Sequence, residues 1–597
     1  MKRELVAKEY KWNLNNIYKT KKDFLKDLNK YIKGNKKLLK YKNKLSDFLT
    51  YKKFFLENEK INEINDKLRY FLNILDVEQN NSFAQELDAI YNQKVVELDG
   101  MFTWVTEEVK SFNQKEFLKK VENDKDLNSY KKFFVDFYKN LNYILPYKER
   151  NLLSRVSNSS SIIYEMYSAL IYKDKKRKKF IFKDKKYDLD ETTYAKILAD
   201  TKPIEDQILR AKYSYEFKQE LNNKKHTFIK LYDALTRENI EYANLIGKKN
   251  FFDLFFDKDD FYKSHLFTLL EASKSAKEVY REYLKIYKDF FGFTDKFYNT
   301  DTSLKFVKSN KDIIDVEKGK DIIKKVCSKL GNEYLLFLNK SLENYKIDYY
   351  ESENKSTDAF TIPSDKYDNL ISMNWTENWE SVYTLIHELG HAVHFEFAKK
   401  YQPKPLNNFD NLIAEIASTF NEHLLSDELL NTNNKNLKIN ILQNNIDFVS
   451  LNFLSSTLWT KFELEVYKLI ENKEVLNYTK IKKIIDNMES KIKIFNEYDK
   501  DMKYYEWFNI SHLYEEPFYL FKYAVTVAIS YHFFLDFKKT NDSTNYLNFL
   551  KEGGSLDPIE LFKKYGFDCT KKESYDPLIK HIENLINNLK QELKELN

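Results

Sequence analysis

The run His387-Glu388-Leu389-Gly390-His391 carries the residue types of hydrolytic metal chemistry. Two histidines four apart on a helix share one face, one turn from each other, so both imidazoles can reach a single tetrahedral metal ion. Glu388 lies beside that face and can take the proton of a water at the metal's open position, as zinc hydrolases require. With nine histidines in 597 residues, the bare pattern would arise by chance in about one chain in a hundred of this composition, so its surroundings must decide. Trp379, Val382, Leu385 and Ile386 precede the run and Leu389, Val393 and Phe397 continue it without a proline, which predicts a buried helix. Four of the nine histidines fall between 387 and 423, a concentration that a scatter of core histidines would not produce.

A catalytic zinc takes three protein ligands and leaves one position open. His394 follows His387 by seven residues on the same face, yet at 1.5 Å rise per residue it sits roughly 7 Å along the axis from a metal between the first two. A second helix closes the site more naturally. Gln402-Pro403-Lys404-Pro405 must end the first helix, and a new one is expected from about Asn408 to Leu425, with Ile413, Ile416, Phe420 and Leu424 forming its apolar stripe. Glu415 on that helix is the best candidate for the third ligand, with His394 as the alternative. Glu422, two turns further on the same side, can support a histidine from behind. Metalloproteases with three histidines in H-E-x-x-H-x-x-G-x-x-H are excluded, because His394 and Phe397 stand where that pattern needs Gly and His.

The elements that must position these residues are read from composition and periodicity. Gly 10 and Pro 8 are low for this length, which disfavours a turn-rich β protein, and hydrophobic residues at 42% support a large core. From Lys21 to about Lys285 apolar residues recur at helical spacing, as in Phe24, Leu28 and Ile32. The expected class is mainly α. Three β-prone pieces, Tyr345 to Tyr350, Phe360 to Ile362 and Leu370 to Trp375, predict a small sheet just before the metal helix. Phe518 to Phe537 is interrupted by Lys522, His532 and Asp536, so it reads as a buried core helix and not a membrane span. No repeat or flexible linker divides the chain, and a soft boundary is placed between an N-terminal helical region, 1–195, and a catalytic region, 196–597.

Lys+Arg 98 against Asp+Glu 92 gives a net charge of +6, which points to no acidic partner. The basic stretch from Lys173 to Lys186 reads as a solvated hairpin or loop, since interspersed aspartates and the lack of an aromatic platform disfavour nucleic-acid binding. Cys327 and Cys569 are far apart and without a C-x-x-C spacing, and the first residues lack an apolar leader, so a reducing, cytoplasmic setting is expected. Oligomeric state is not readable. At this level two functions stand open: a zinc peptidase, or a non-catalytic helical peptide-binding protein that carries the motif.

The run from His387 to His394, followed by Ala414-Glu415-Ile416-Ala417-Ser418-Thr419-Phe420-Asn421-Glu422, resembles oligoendopeptidase F, of the thimet-oligopeptidase-like zinc metallopeptidases. The likeness extends to Trp12-Asn13-Leu14, Trp507 to Ala524, Gly553-Gly554-Ser555 and Pro558 to Leu561, nearly the whole chain. It implies a helical ellipsoid cut by a deep, narrow channel with one zinc ion on its floor, and Glu415 as the third ligand (the gluzincin type). It also implies intracellular cleavage of internal bonds in short oligopeptides. The segment Ile510 to Ala524 resembles the family's His-and-tyrosine region, which assigns His512, Tyr523 and Tyr519 to substrate and oxyanion contacts; Tyr519 and Tyr523, four apart, can present hydroxyls together. The chain departs from the pattern in having no glycine between Lys355 and Thr361 or between His512 and Tyr523. The expected mechanism is attack by a zinc-bound water that Glu388 deprotonates, with zinc, His512 and Tyr523 stabilising the oxyanion and Glu388 returning the proton to the amine.

Overall fold

The computed structural model describes residues 2–596 apart from 99, 157–161, 175–178, 189–192, 194–196, 198–199, 257–260, 309–311, 490–494, 497 and 499–501. The chain is 71% helical, with one sheet of two strands and one of three, as its glycine-poor, helix-periodic sequence requires. Helices α1 (Lys21–Leu38) and α2 (Phe48–Leu72) open the N-terminal region. Thr20 and Asp47 cap them by accepting from the amides of Asp23 and Thr50, and the predicted stripe of Phe24, Leu28 and Ile32 is buried. Apolar residues between 17 and 141 form two cores of their own. The expected boundary at 195/196 falls on residues outside those described, but Tyr167, from the N-terminal side of it, stacks on Tyr514 with centroids 4.0 Å apart.

In the basic stretch, β1 (Lys179–Phe182) and β2 (Lys185–Asp188) form an antiparallel hairpin with Phe180 and Phe182 turned inward; residues 175–178 of that stretch lie outside the described set. The three β-prone pieces become β3 (Ile347–Asp348), β4 (Phe360–Ile362) and β5 (Leu370–Ser372), ordered β3-β5-β4. β4 runs antiparallel to β5, with Thr361 opposite Ile371, and forms an edge. This small sheet is tied to the first residues of the chain. Trp12 donates its indole N–H to the Ile371 carbonyl at 2.8 Å, and Arg3 grips the buried Asp348 carboxylate at 2.6 Å. Lys355, itself fully buried, sits 2.8 Å from the same carboxylate.

Helix α3 (Trp379–Tyr401) carries the histidine run, capped by Asn378 and ended before Pro403. Helix α4 (Asn411–Leu429) starts at an Asp410 cap and buries Ile413, Ile416, Phe420 and Leu424, as its stripe predicts. It packs extensively on α3 and on α6 (Leu520–Thr540), the latter preceded in the chain by α5 (Ser456–Glu471). α6 is the expected core helix, and among the described residues no helix is long and apolar enough to cross a membrane. The connection between α3 and α4 is clasped by the Gly553-Gly554 pair: Gly554 donates to Leu406 O at 2.7 Å, and a Cβ there would collide with Asn408 O.

The approach of α3 to α4 depends on Gly390. A Cβ at this position would meet the Ser418 Cα at 2.5 Å and the Ala417 carbonyl oxygen at 2.7 Å, both backbone atoms that cannot turn aside. Gly390→Ala will therefore push the helices apart and destabilise the fold by about 1–3 kcal/mol, the usual cost of overpacking. Denaturant unfolding of the purified variant, followed by tryptophan fluorescence, measures this loss.

Candidate active site

Helix periodicity places His387 and His391 on the face of α3 that meets α4, and the Gly390 contact brings Glu415 up to them. Glu415 Oε2 lies 3.4 Å from His387 Nε2 and 3.5 Å from His391 Nε2. The three donor atoms fall within 4.8 Å of one another. A tetrahedral zinc with bonds of about 2.0–2.1 Å needs neighbouring donors about 3.3–3.4 Å apart, so the two imidazoles and the carboxylate fit one ion and leave a fourth corner free.

Two members of the group, His387 and Glu415, are held from behind. His387 Nδ1 meets Glu422 Oε1 at 2.5 Å, which fixes the ring and turns Nε2 toward Glu415. Ser418, one turn after Glu415, donates to Glu415 Oε2 at 3.0 Å. Asn421 donates from α4 to the Ile386 carbonyl of α3 at 3.0 Å and accepts from Tyr334. Burial would lower the affinity of His387 for a proton, but Glu415 and Glu422 on either side push it well above the ordinary imidazole range. Burial would raise Glu415, yet the hydrogen bonds and charges of His387 and His391 hold it far below the usual carboxylate range.

Glu388 is buried on the neighbouring face of α3, and Thr361 of the edge strand donates to its Oε2 at 2.7 Å. The other candidates divide. His512 and Tyr523 come together, Tyr523 Oη lying 3.3 Å from His512 Nε2, and Tyr519 stacks on the same imidazole with centroids 5.5 Å apart. Burial and then the charge of Glu415 raise Tyr523, so its phenol stays protonated at neutral pH. His394 stands apart: its fully buried ring stacks on Phe409 at 4.0 Å, neither nitrogen has a hydrogen-bond partner among the described residues, and burial pushes it down to about 3. It belongs to the core behind the site and not to the donor group.

A family model described as Peptidase family M3 matches residues 201–581, and one described as Oligopeptidase F matches residues 108–176. The chain belongs to peptidase family M3. This M3 chain is 25% identical to an oligoendopeptidase F homolog of Borreliella burgdorferi over 100% of its length and 99% of the relative's. It is 24% identical to oligopeptidase PepF of Bacillus subtilis, over 100% and 89% of the two chains. Its fold is similar to oligoendopeptidase-F of Enterococcus faecium, with a TM-score of 0.71 at 16% identity over 96% and 98% of the two chains. A crystallised protein of Chlamydophila abortus matches at a TM-score of 0.86, 21% identity and 99% coverage of both. The M3 chain is a metalloendopeptidase of the oligopeptidase group, with a candidate metal centre at His387, His391 and Glu415.

Sequence reasoning missed two supports of the M3 site. Thr361 was visible only as one residue of a β-prone piece, and its bond to Glu388 joins residues 27 apart. Ser418 sits three residues after Glu415, a spacing that brings side chains together on a helix, so that contact was open to detection. Glu422 carries the clearest expectation here: Glu422→Ala will weaken metal binding by about 10–100-fold, the usual cost of losing such a support. Competition of the metal against a chromogenic chelator reads the affinity directly.

Proposed function

We propose that this M3 peptidase is a zinc-dependent endopeptidase that hydrolyses internal bonds of short, unstructured oligopeptides in the cytoplasm. The observation that carries the reading is the spacing of Glu415 Oε2 from both histidine Nε2 atoms, 3.4 and 3.5 Å, which suits a single tetrahedral ion. His387, His391 and Glu415 would hold one zinc ion, which when bound supplies a Lewis acid that polarises the scissile carbonyl and acidifies water.

The chain's own groups do the rest. Glu388 takes the proton of the attacking water, with Thr361 occupying its Oε2 and thereby orienting the carboxylate. The same carboxyl then hands the proton to the departing amine. Tyr523, kept protonated by burial and by Glu415, donates to the oxyanion as it forms, and His512, linked to it at 3.3 Å, completes the donor pair. Tyr519, stacked on His512, fixes that ring and contributes a further hydroxyl.

Substrate class follows from the walls. β4 is an edge strand whose free backbone groups can pair with an extended peptide beside Glu388. Beyond Ile362 a cavity of about 510 Å3 opens between Asp66 and Arg69 of α2 and Phe395 of α3. On the other side of Pro405 a second one of about 400 Å3 reaches Lys132 and Asp557. We also retain a division of labour near residue 195, with the N-terminal helices restricting access and the remainder carrying chemistry; the main family match begins at 201. Both cysteines are buried free thiols, which suits a reducing compartment.

Replacing Glu388 by Gln keeps its shape and removes its basicity. Zinc content should remain at one per chain while turnover of a quenched oligopeptide falls by about 10²–10⁴-fold, the range attributed to general-base catalysis. Turnover near the wild-type rate would overturn the assignment. Dialysis against a chelator should abolish cleavage, and added zinc should restore it.

A further inference from the structure

The left-handed turn at Phe518 has a built support that the proposed mechanism does not use. Phe518 has φ +58°, a conformation that residues with bulky side chains seldom hold. It persists only when the surroundings impose it. The ring is clamped by aromatic neighbours: Tyr467 at 4.9 Å, Phe255 at 5.1 Å, Phe256 at 5.2 Å and Phe251 at 5.7 Å between centroids. Its amide donates at 2.7 Å to Oε1 of Glu463, on helix Ser456–Glu471.

Glu463 is 1% exposed, has no ion pair among the described residues, and leaves Oε2 buried without a partner. Burial drives its carboxyl well above the ordinary range, while the Phe518 amide pulls the other way. A carboxyl group in an aromatic core is an expensive way to fill space, since an apolar side chain would pack there without the desolvation penalty. Among the described residues its one hydrogen bond is to the amide at the turn, with the Tyr232 and Tyr467 phenols close enough to feel its charge. That turn reverses the chain between the short helix His512–Glu515 and α6, and so brings Tyr519 and Tyr523 back against His512.

We propose that Glu463 is a positioning residue for the His512, Tyr519 and Tyr523 cluster: by holding the Phe518 amide it fixes the left-handed turn that sets the two phenols against the imidazole. This rests on the reading that the cluster donates to the oxyanion. Loss of the anchor loosens donors that matter in the transition state, so it lowers kcat and leaves KM little changed.

The test uses the full-length, zinc-loaded enzyme and a quenched peptide. Glu463→Gln, whose amide oxygen still accepts from Phe518, should keep kcat within about threefold of wild type. Glu463→Leu and Glu463→Met, which lack the acceptor, should lose at least tenfold in kcat, with KM within twofold and zinc at one per chain. In a Tyr523→Phe background the apolar replacements should cost no more than about threefold further, because the donor they position is already gone. Wild-type kcat in both apolar variants, a Gln variant as slow as they are, or undiminished losses in the Tyr523→Phe background would each overturn the proposal alone. Tyr523→Phe at the wild-type rate would overturn the donor role of Tyr523, and the proposal with it.

Discussion

Backbone of α3 meets backbone of α4 at Gly390, and the separation permitted there sets the donor spacing of the metal group. A carboxylate on one helix reaches imidazoles on another only if the axes lie close enough for a short side chain to bridge them. Removing a Cβ from one helix is the simplest way to achieve this, because packed interiors leave no slack for adjustment. α4 presents Glu415, Ser418, Asn421 and Glu422 along the side facing α3, where each contacts the histidine helix or supports a residue that does. α6 packs on the other side of α4 and carries Tyr523. Two successive helix contacts, α3 on α4 and α4 on α6, therefore connect the candidate metal donors to the phenols.

Charge is managed in two ways across the same body. Where a carboxylate is buried, polar or charged groups surround it: Glu415 has two imidazole nitrogens beside it, and Asp348 has Arg3 and Lys355. Where no opposite charge lies beside the group among the described residues, burial disfavours its charged form, as it does for His394 and Glu463. The second solution suits groups whose task is packing or hydrogen bonding, since isolated buried charge is far costlier than a neutral polar atom.

Much of this was legible in the residues. The 3.6-residue period of α3 and α4, the Pro403 and Pro405 break and the three β-prone pieces describe the elements to within a few positions, because local patterning governs them. The ligand spacing, Glu415 and the Glu422 support follow from helix geometry. Gly390 was read as one letter of a motif, although its meaning lies in atoms of Ser418 that no local pattern reveals. The bond from Thr361 to Glu388 and the anchor of Phe518 on Glu463, 55 residues away, depend on how elements meet. His394 shared the face of His387 in projection, but it faces Phe409, which sequence spacing alone does not place.

The strap formed by Arg3 and Trp12 has a consequence for assembly. Trp12 bonds to a carbonyl 359 positions later in the chain, and Arg3 to a carboxylate 345 positions later. A ribosome delivers the N-terminus first, so the bonds of Trp12 to Ile371 and of Arg3 to Asp348 wait until more than half the polypeptide has emerged, although Arg3 can meet Glu78 earlier. Contacts of such sequence separation form late, because loop closure is costly before they can repay it. The wall that carries Thr361 can therefore be strapped to the first residues only after more than half of the chain has been made, and Glu415 and Tyr523 follow later still.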